Sequence, residues 1–314
     1  MGDEPRPALL FVHAHPDDET LATGVAMAHY ARRGYPVHLL TCTLGEEGEI
    51  IPASLHHLSS HASDRLGPYR RGELTRALRH LGVRGHIVGA SDDEDVANPD
   101  DPLPSGRYRD SGMAGTPSAA HPRAFVGADL GVVADQVRAV IEAIQPAVVV
   151  TYEDRGGYEH PDHIATHAAV VRALAGLPES RRPTMFAAVT PRSWAIEDRQ
   201  WVREHVPEQS GLYRPDPDEA YPPSVLPDVA VTHVVTGSPA DLQARDDALR
   251  EHATQVRVFD GYYTLSNNVA ARLAAREGYL IWDPSAGRPL APTTPLTGRH
   301  EGLLVMERMP DATD

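Results

Sequence analysis

Two short segments, far apart in the chain, carry the residue types from which hydrolytic metal sites are built. The sequence HPDDE spans 15–19 and HPDH spans 160–163, and a proline stiffens each turn. Hydrolytic zinc sites commonly use three protein ligands from His, Asp or Glu and leave one coordination position open. We expect His15, Asp18 and His163 to supply these ligands, as two imidazoles and one carboxylate.

The remaining polar residues of the two segments suit proton transfer. Asp17 is the direct neighbour of Asp18 and cannot easily share its ligating geometry, so it is free to accept a proton from the attacking water. His160 is placed to stabilise the developing oxyanion or to give a proton to the leaving nitrogen. The expected cofactor is one divalent ion per chain, Zn²⁺ first and Fe²⁺ second, because this ligand set suits both.

Each residue type also has a simpler interpretation. The acidic residues 17–19 alone could stabilise a helix N-terminus, and a lone histidine among 17 is more often structural than a ligand. His13 could lie behind the site or fill the core. The histidines at 56, 57 and 61 fall in a polar loop and are expected to be solvated. Two matching turns after two parallel strands favour the metal site over these alternatives.

Strands and helices alternate through the first half of the chain. Continuous apolar runs predict strands that are buried on both faces, and helical periodicity predicts helices between them. The predicted strands are 7–15, 37–43, 86–88 and 147–151, and the predicted helices are 18–33, 71–81, 129–144 and 163–177. The pattern indicates an α/β fold with a Rossmann-like, doubly wound, mostly parallel sheet. Such sheets carry their sites at the carboxyl ends of strands, where both segments fall.

The C-terminal third has a different pattern. A proline-rich connector covers 207–227, followed by a predicted strand at 229–235, helices near 241–254 and 267–277, and a strand at 279–282. We expect a catalytic domain at 1–206 and a smaller α+β part at 207–314 that packs against it and helps close the substrate site. Two long loops, 45–67 and 90–126, are of a length that is usually functional or disordered.

Composition and charge narrow the class of protein. The net charge of −15 would repel phosphate backbones and anionic lipids, which argues against nucleic acid and membrane surfaces as partners. There is no apolar run of the roughly 18–20 residues that a membrane helix needs and no signal-peptide pattern. A single cysteine, Cys42, suits a reducing cytoplasm. Nucleophile-elbow, Walker A and dinucleotide-binding motifs are absent from the sequence. The sequence does not decide whether the chain forms a homo-oligomer.

The two segments resemble the metal motifs of the LmbE-like, or PIG-L type, de-N-acetylase family, as HAHPDDE at 13–19 and HPDH at 160–163. The resemblance is strongest to the branch of that family that acts in mycothiol biosynthesis, and it extends over most of the chain. Further matching stretches are TCTLGEEGE (41–49), YRRGELTRAL (69–78), RYRDSGMAGT (107–116), VVVTYEDRGGYEHPDH (148–163), HATQV (252–256) and LSNN (265–268). It implies hydrolysis of the acetamide of an amino-sugar glycoside, namely N-acetylglucosaminyl inositol.

The resemblance also implies roles for individual residues. The metal ligands would be His15, Asp18 and His163. The catalytic residues would be Asp17 as general base, His160 at the oxyanion, Asp162 tuning His160, and Tyr158 over the substrate. The substrate-binding residues would be Glu49, Arg70, Asp110 and, more weakly, Asn267, whose simpler interpretation is a helix cap. Two departures stand out: an acidic loop before Arg107, and Glu159 in place of an expected glycine.

Two other functions compete with deacetylation. The sister activity in the family is cleavage of mycothiol S-conjugates, and those amidases resemble this chain but carry a lysine shortly after HPDDE. Here the corresponding stretch, 20–24, is TLATG, and the whole chain has no lysine, which favours the deacetylase. A non-catalytic sugar-binding protein on the same fold is the third hypothesis. Asp17 argues against it, because a binding protein does not need a general base.

Overall fold

The computed structural model of the chain describes residues 6–90, 106–290 and 299–304. Five parallel strands form the core of the main sheet in the order β3-β2-β1-β4-β5. They are β1 (Leu9–His13), β2 (Val37–Thr41), β3 (Arg84–Ile87), β4 (Val148–Tyr152) and β5 (Thr184–Pro191). The chain order reverses at β1, between β2 and β4, which is the topological switch point of a doubly wound sheet. The predicted α/β fold is confirmed.

Helices cover both faces of the sheet. Alternate residues of β1 enter different cores: Leu9 and Phe11 pack toward α1 and α2, whereas Leu10 and Val12 pack toward α3 and α5. This alternation explains why the strand is a continuous apolar run. The helices are α1 (Asp18–Arg32), α2 (Leu66–Leu81), α3 (Leu130–Ile144), the single turn α4 (Gly156–Glu159), α5 (Pro161–Ala175), α6 (Arg192–His205) and α7 (Pro239–Glu251). Among the described residues, no helix combines the length and apolarity needed to cross a membrane.

The C-terminal third extends the main sheet. Strand β11 pairs antiparallel with β5 on one side and with β7 on the other, and β13 follows at the edge. A separate three-stranded antiparallel sheet has the order β10-β9-β8. These strands are β6 (Val225–Leu226), β7 (His233–Thr236), β8 (Arg257–Val258), β9 (Tyr262–Thr264), β10 (Ala270–Arg272), β11 (Arg276–Asp283), β12 (Arg288–Pro289) and β13 (His300–Glu301). The predicted domain boundary at 206–207 stays a prediction.

One predicted element is wrong. The helix expected at 267–277 is replaced by β10 and the start of β11. The alanine-rich sequence there has high helix propensity, but its backbone pairs with β9 and β7, and tertiary pairing overrides propensity. The strand expected at 229–235 begins only at His233, after a 3₁₀ turn at 228–230. Strand β5 and helix α6 were not predicted, and most of the acidic loop before Arg107 lies outside the described residues.

Gly278 lies where β11 is paired on both sides, and its lack of a side chain is a packing requirement. A Cβ atom there would lie 2.7 Å from the Val189 carbonyl oxygen of β5. We expect Gly278→Ala to lower the free energy of unfolding by about 1–3 kcal/mol, because the backbone of β5 or β11 must move to make room for the methyl group. Gly127→Ala is the control, since a Cβ atom there meets nothing within 4 Å. Urea unfolding of both variants measures the difference, and equal stabilities would contradict the packing argument.

Candidate metal centre and active site

The loops that follow β1 and β4 meet at the carboxyl edge of the sheet. His15 Nδ1 and His163 Nε2 each lie 3.2 Å from Asp18 Oδ2, and the two nitrogens are 3.3 Å apart. A tetrahedral ion with bonds of about 2.1 Å separates its ligand atoms by about 3.4 Å. The spacing of these three atoms therefore fits one divalent ion.

The protonation of the two imidazoles also fits an ion. His163 Nδ1 donates to the carbonyl oxygen of Gly156 at 3.1 Å, and His15 Nε2 donates to Asp162 Oδ2 at 3.1 Å. Each ring then presents the lone pair of its other nitrogen toward Asp18. Burial opposes ionisation of Asp18, yet His163 and His15 hold the pKa of this carboxyl well below its usual range. With both rings neutral in this tautomer, three electron-rich atoms face a common point.

Other candidate ligands surround His15. His15, His160 and His163 have ligand atoms within 4.8 Å of one another, and so do His15, Asp110 and Asp162. The two carboxylates approach Nε2 of His15, with Asp110 Oδ1 at 3.4 Å, on the opposite side of the ring from Asp18. Burial lowers the pKa of His15, but Asp110, Asp162 and Asp18 outweigh it and raise the pKa well above its ordinary value. The same negative field attracts a cation.

Tyr152, the last residue of β4, supports the ligand set and was missed by the sequence reasoning. Its hydroxyl donates to Asp18 Oδ2 at 2.7 Å and accepts the backbone N–H of Ala14 at 2.9 Å. Its ring stacks on His163, with centroids 4.2 Å apart and planes 13° apart. The available signal was its position directly after the predicted strand at 147–151, at the edge that carries the site.

Asp17 lies beside this cluster with its carboxylate at the cavity surface. Arg70 Nη2 is 3.1 Å from Asp17 Oδ1, and the guanidinium also donates to the carbonyl oxygens of Gly45 and Pro16. Burial raises the pKa of Asp17 to about 7, although Arg70 opposes the shift. A carboxylate of that basicity suits a general base at neutral pH.

His160 and Tyr158 flank the ligands on the cavity side. His160 Nδ1 accepts the backbone N–H of Asp162, and burial, with His15 and His163, lowers the pKa of His160 to about 4. The neutral ring therefore carries its proton on Nε2 and acts as a hydrogen-bond donor. The Tyr158 ring lies 5.0 Å from His163 and 6.0 Å from His160, and Tyr158 is 52% exposed.

A cavity of about 1320 Å³ opens over these residues, and all four predicted substrate-binding residues line it. Glu49 and Asn267 are exposed in it. Arg70 and Asp110 are buried. The two Nη atoms of Arg70 bond to protein groups, and Asp110 accepts the backbone N–H groups of Gly112 and Glu47. Arg70 and Asp110 therefore form the floor of the cavity.

The other residues singled out in the sequence lie around the site. His13 is buried, with Nε2 2.9 Å from Thr23 Oγ1 and its ring edge-on to Tyr152 at 5.0 Å, so it lies behind the ligands. The histidines at 56, 57 and 61 are exposed, as expected. Cys42 is buried immediately after β2, and burial raises the pKa of its thiol to about 12.

A doubly wound sheet with His and Asp side chains converging at its switch point defines a metal-dependent α/β hydrolase. A family model described as PIG-L, GlcNAc-PI de-N-acetylase, matches residues 10–174. The chain belongs to this PIG-L family.

Curated relatives match nearly the whole chain. A protein of Rhodococcus opacus (strain B4) is 45% identical over 87% of this chain and 90% of its own length. One from Mycolicibacterium smegmatis is 41% identical over 91% of this chain and 94% of its own. Both are named 1D-myo-inositol 2-acetamido-2-deoxy-alpha-D-glucopyranoside deacetylase.

A solved structure has the same fold. It is a crystal structure of an antimicrobial pseudoaglycone deacetylase, 18% identical to this chain, with a TM-score of 0.50 over 88% of this chain and 97% of that one.

The Tyr152 hydroxyl gives a test of the ligand arrangement. We expect Tyr152→Phe to weaken Zn²⁺ affinity by about 10–100-fold, because Asp18 loses the hydrogen bond that orients it. Tyr108→Phe is the control, since that hydroxyl donates to Gln136 and not to the site. Competition with a chelating dye measures both affinities. Unchanged affinity in a folded Tyr152→Phe protein would show that this hydroxyl does not orient the ligand.

Proposed function

We propose that the chain hydrolyses the acetamide of 1-D-myo-inositol 2-acetamido-2-deoxy-α-D-glucopyranoside, releasing acetate and the free amino sugar, as a step of mycothiol biosynthesis. The main support for hydrolysis is that His15, Asp18 and His163 converge beside Asp17 at the floor of a large cavity. The support for this substrate is the shared name of relatives that are 40–45% identical over most of the chain.

His15 Nδ1, Asp18 Oδ2 and His163 Nε2 would hold the ion. When bound, a divalent ion supplies Lewis acidity to the amide carbonyl and to the attacking water. Zinc is the proposed ion, since two imidazoles and a carboxylate with an open position form a common hydrolytic zinc site. Ferrous iron suits the same ligands and is the alternative. Asp162 orients His15 through the hydrogen bond to Nε2.

Asp17 takes the proton from the attacking water. The Arg70 guanidinium holds the carboxylate in place while burial keeps it basic. After the carbon–nitrogen bond weakens, the protonated Asp17 can pass this proton to the departing amine. Asp17 thus serves first as base and then as acid.

His160 and Tyr158 act on the carbonyl oxygen. His160 offers its Nε2 proton to the developing oxyanion, and the hydrogen bond from the Asp162 backbone to Nδ1 fixes that tautomer. The backbone of Asp162 thus tunes His160. Tyr158, half exposed over the site, covers the substrate and can donate its hydroxyl proton to the same oxygen.

The substrate hydroxyls would bind along the cavity wall. Glu49 and Asn267 are exposed and line the cavity, so we propose them as direct contacts to sugar or inositol. Arg70 and Asp110 also line the cavity but already bond to protein groups. We propose that they shape the floor on which the substrate lies.

A side-by-side assay tests the function. Zinc-loaded protein should release acetate from N-acetylglucosaminyl inositol far faster than it cleaves the amide of a mycothiol S-conjugate, and a chelator should stop the release until zinc is restored. The reverse preference would identify the amidase. Sugar binding without turnover in zinc-loaded protein would identify a non-catalytic binding protein. Either result would overturn the proposal.

The role of Asp17 has a separate test. We expect Asp17→Asn to keep its zinc but to lower kcat by about 10²–10⁴-fold, because the amide cannot accept the proton. Metal analysis and acetate release on the same sample separate the two effects. The control is Asp135→Asn, a surface carboxylate of α3 paired with Arg138. Wild-type turnover in zinc-loaded Asp17→Asn would rule out Asp17 as the general base.

A further inference from the structure

A buried hydrogen bond joins the C-terminal third of the chain to the HPDDE segment. His252, the first residue after α7, donates from Nε2 to Glu19 Oε1 at 2.9 Å. Both side chains are fully buried, beneath the cavity surface. Thr20 Oγ1 donates to the same oxygen of Glu19. The carboxylate is therefore held on one side by two donors.

The second oxygen of Glu19 reaches the proposed base. Glu19 Oε2 accepts the backbone N–H of Asp17 at 2.9 Å. Asp17 has φ +90° and ψ −35°, a conformation that residues with a side chain rarely adopt. Such a conformation persists only where the surroundings impose it. Glu19 supplies one of those constraints, and His252 fixes Glu19.

Helix α7 brings His252 to this position. It packs against α1 and α2, and the approach to α1 is close: a Cβ atom on Gly24 would lie 2.8 Å from Arg245 Cγ. The segment after His252 is anchored to α2, because the backbone N–H and the hydroxyl of Thr254 both donate to the Glu73 carboxylate. His252 therefore reaches Glu19 from a rigid support.

We propose that His252 is a positioning residue for catalysis, which through Glu19 holds the Asp17 backbone and so aims its carboxylate at the attacking water. This inference rests on the proposed function, in which Asp17 is the general base. Within residues 6–90, 106–290 and 299–304, His252 is the only residue of the C-terminal third that hydrogen-bonds to a side chain of the HPDDE segment. The proposed role gives this bond a function. A role limited to holding α7 in place would affect the melting temperature but leave kcat and hydrogen exchange at the Asp17 amide unchanged.

Three variants separate positioning from packing. His252→Met keeps the volume but removes the donor. His252→Gln restores a neutral donor near the Nε2 position, and it loses no hydrogen bond at Nδ1, because Nδ1 has no partner within the described part of the chain. His38→Met is the matched control, a buried histidine near the start of β2, at the end of the sheet away from the site.

The measurements are zinc content, melting temperature, kcat and KM for acetate release, and NMR hydrogen exchange of the Asp17 amide in the zinc-loaded protein. We expect His252→Met to lower kcat by about 10–100-fold with KM within about twofold. Losing a residue that orients a catalytic group through a hydrogen bond typically lowers activity by that factor. Exchange at Asp17 should be at least about tenfold faster than in the wild type. His252→Gln should recover most of both, and His38→Met should change neither.

Wild-type kcat and wild-type exchange at Asp17 in His252→Met would overturn the inference, and so would failure of His252→Gln to recover either. If His252→Met does not fold, Glu19→Gln replaces it. A side-chain amide has a single acceptor oxygen and cannot serve His252 and Asp17 together, so the same losses are expected. If the wild type releases no acetate, the proposed function fails, while exchange at Asp17 still decides whether His252 holds that residue.

Discussion

The structure is organised around the mutual repulsion of three buried electron-rich atoms. His15 and His163 point lone pairs at a carboxylate oxygen of Asp18, at separations of 3.2–3.3 Å. Such an arrangement is unfavourable unless positive charge lies among the atoms, as a proton or as a metal ion. The rest of the site consists of groups that prevent these atoms from turning away: the Gly156 carbonyl and the Tyr152 hydroxyl hold them in place.

The sheet topology makes this meeting possible. Strands β1 and β4 are neighbours at the switch point, so the loops after them diverge over opposite faces yet begin side by side. Helix α1 starts at Asp18 and helix α5 starts at Pro161, directly from these loops. Asp18 and His163 therefore sit on the first turns of two helices, and His15 lies in the short loop between β1 and α1.

Sequence reasoning was sufficient where the signal is local. Buried strands of a parallel sheet are continuous apolar runs, and their ends could be located well enough to bring His15 and His163 together. It was not sufficient where pairing between distant segments decides the structure. The segment 267–277 has a helical composition but forms strands because β7 and β9 pair with it. Tyr152 and Glu19 gain their roles only from contacts made across the fold.

The same distinction bears on Arg70 and Asp110, whose roles as contacts for substrate hydroxyls stay a prediction. A charged side chain at the right place in a matching stretch suggests a ligand contact, but its free hydrogen-bonding capacity depends on neighbours that the sequence does not show. The two Nη atoms of Arg70 donate to Gly45, Pro16 and Asp17. Asp110 receives two backbone N–H groups and lies behind His15. Both charges thus act on the ligands and the base, in addition to the contacts with substrate hydroxyls that are predicted for them.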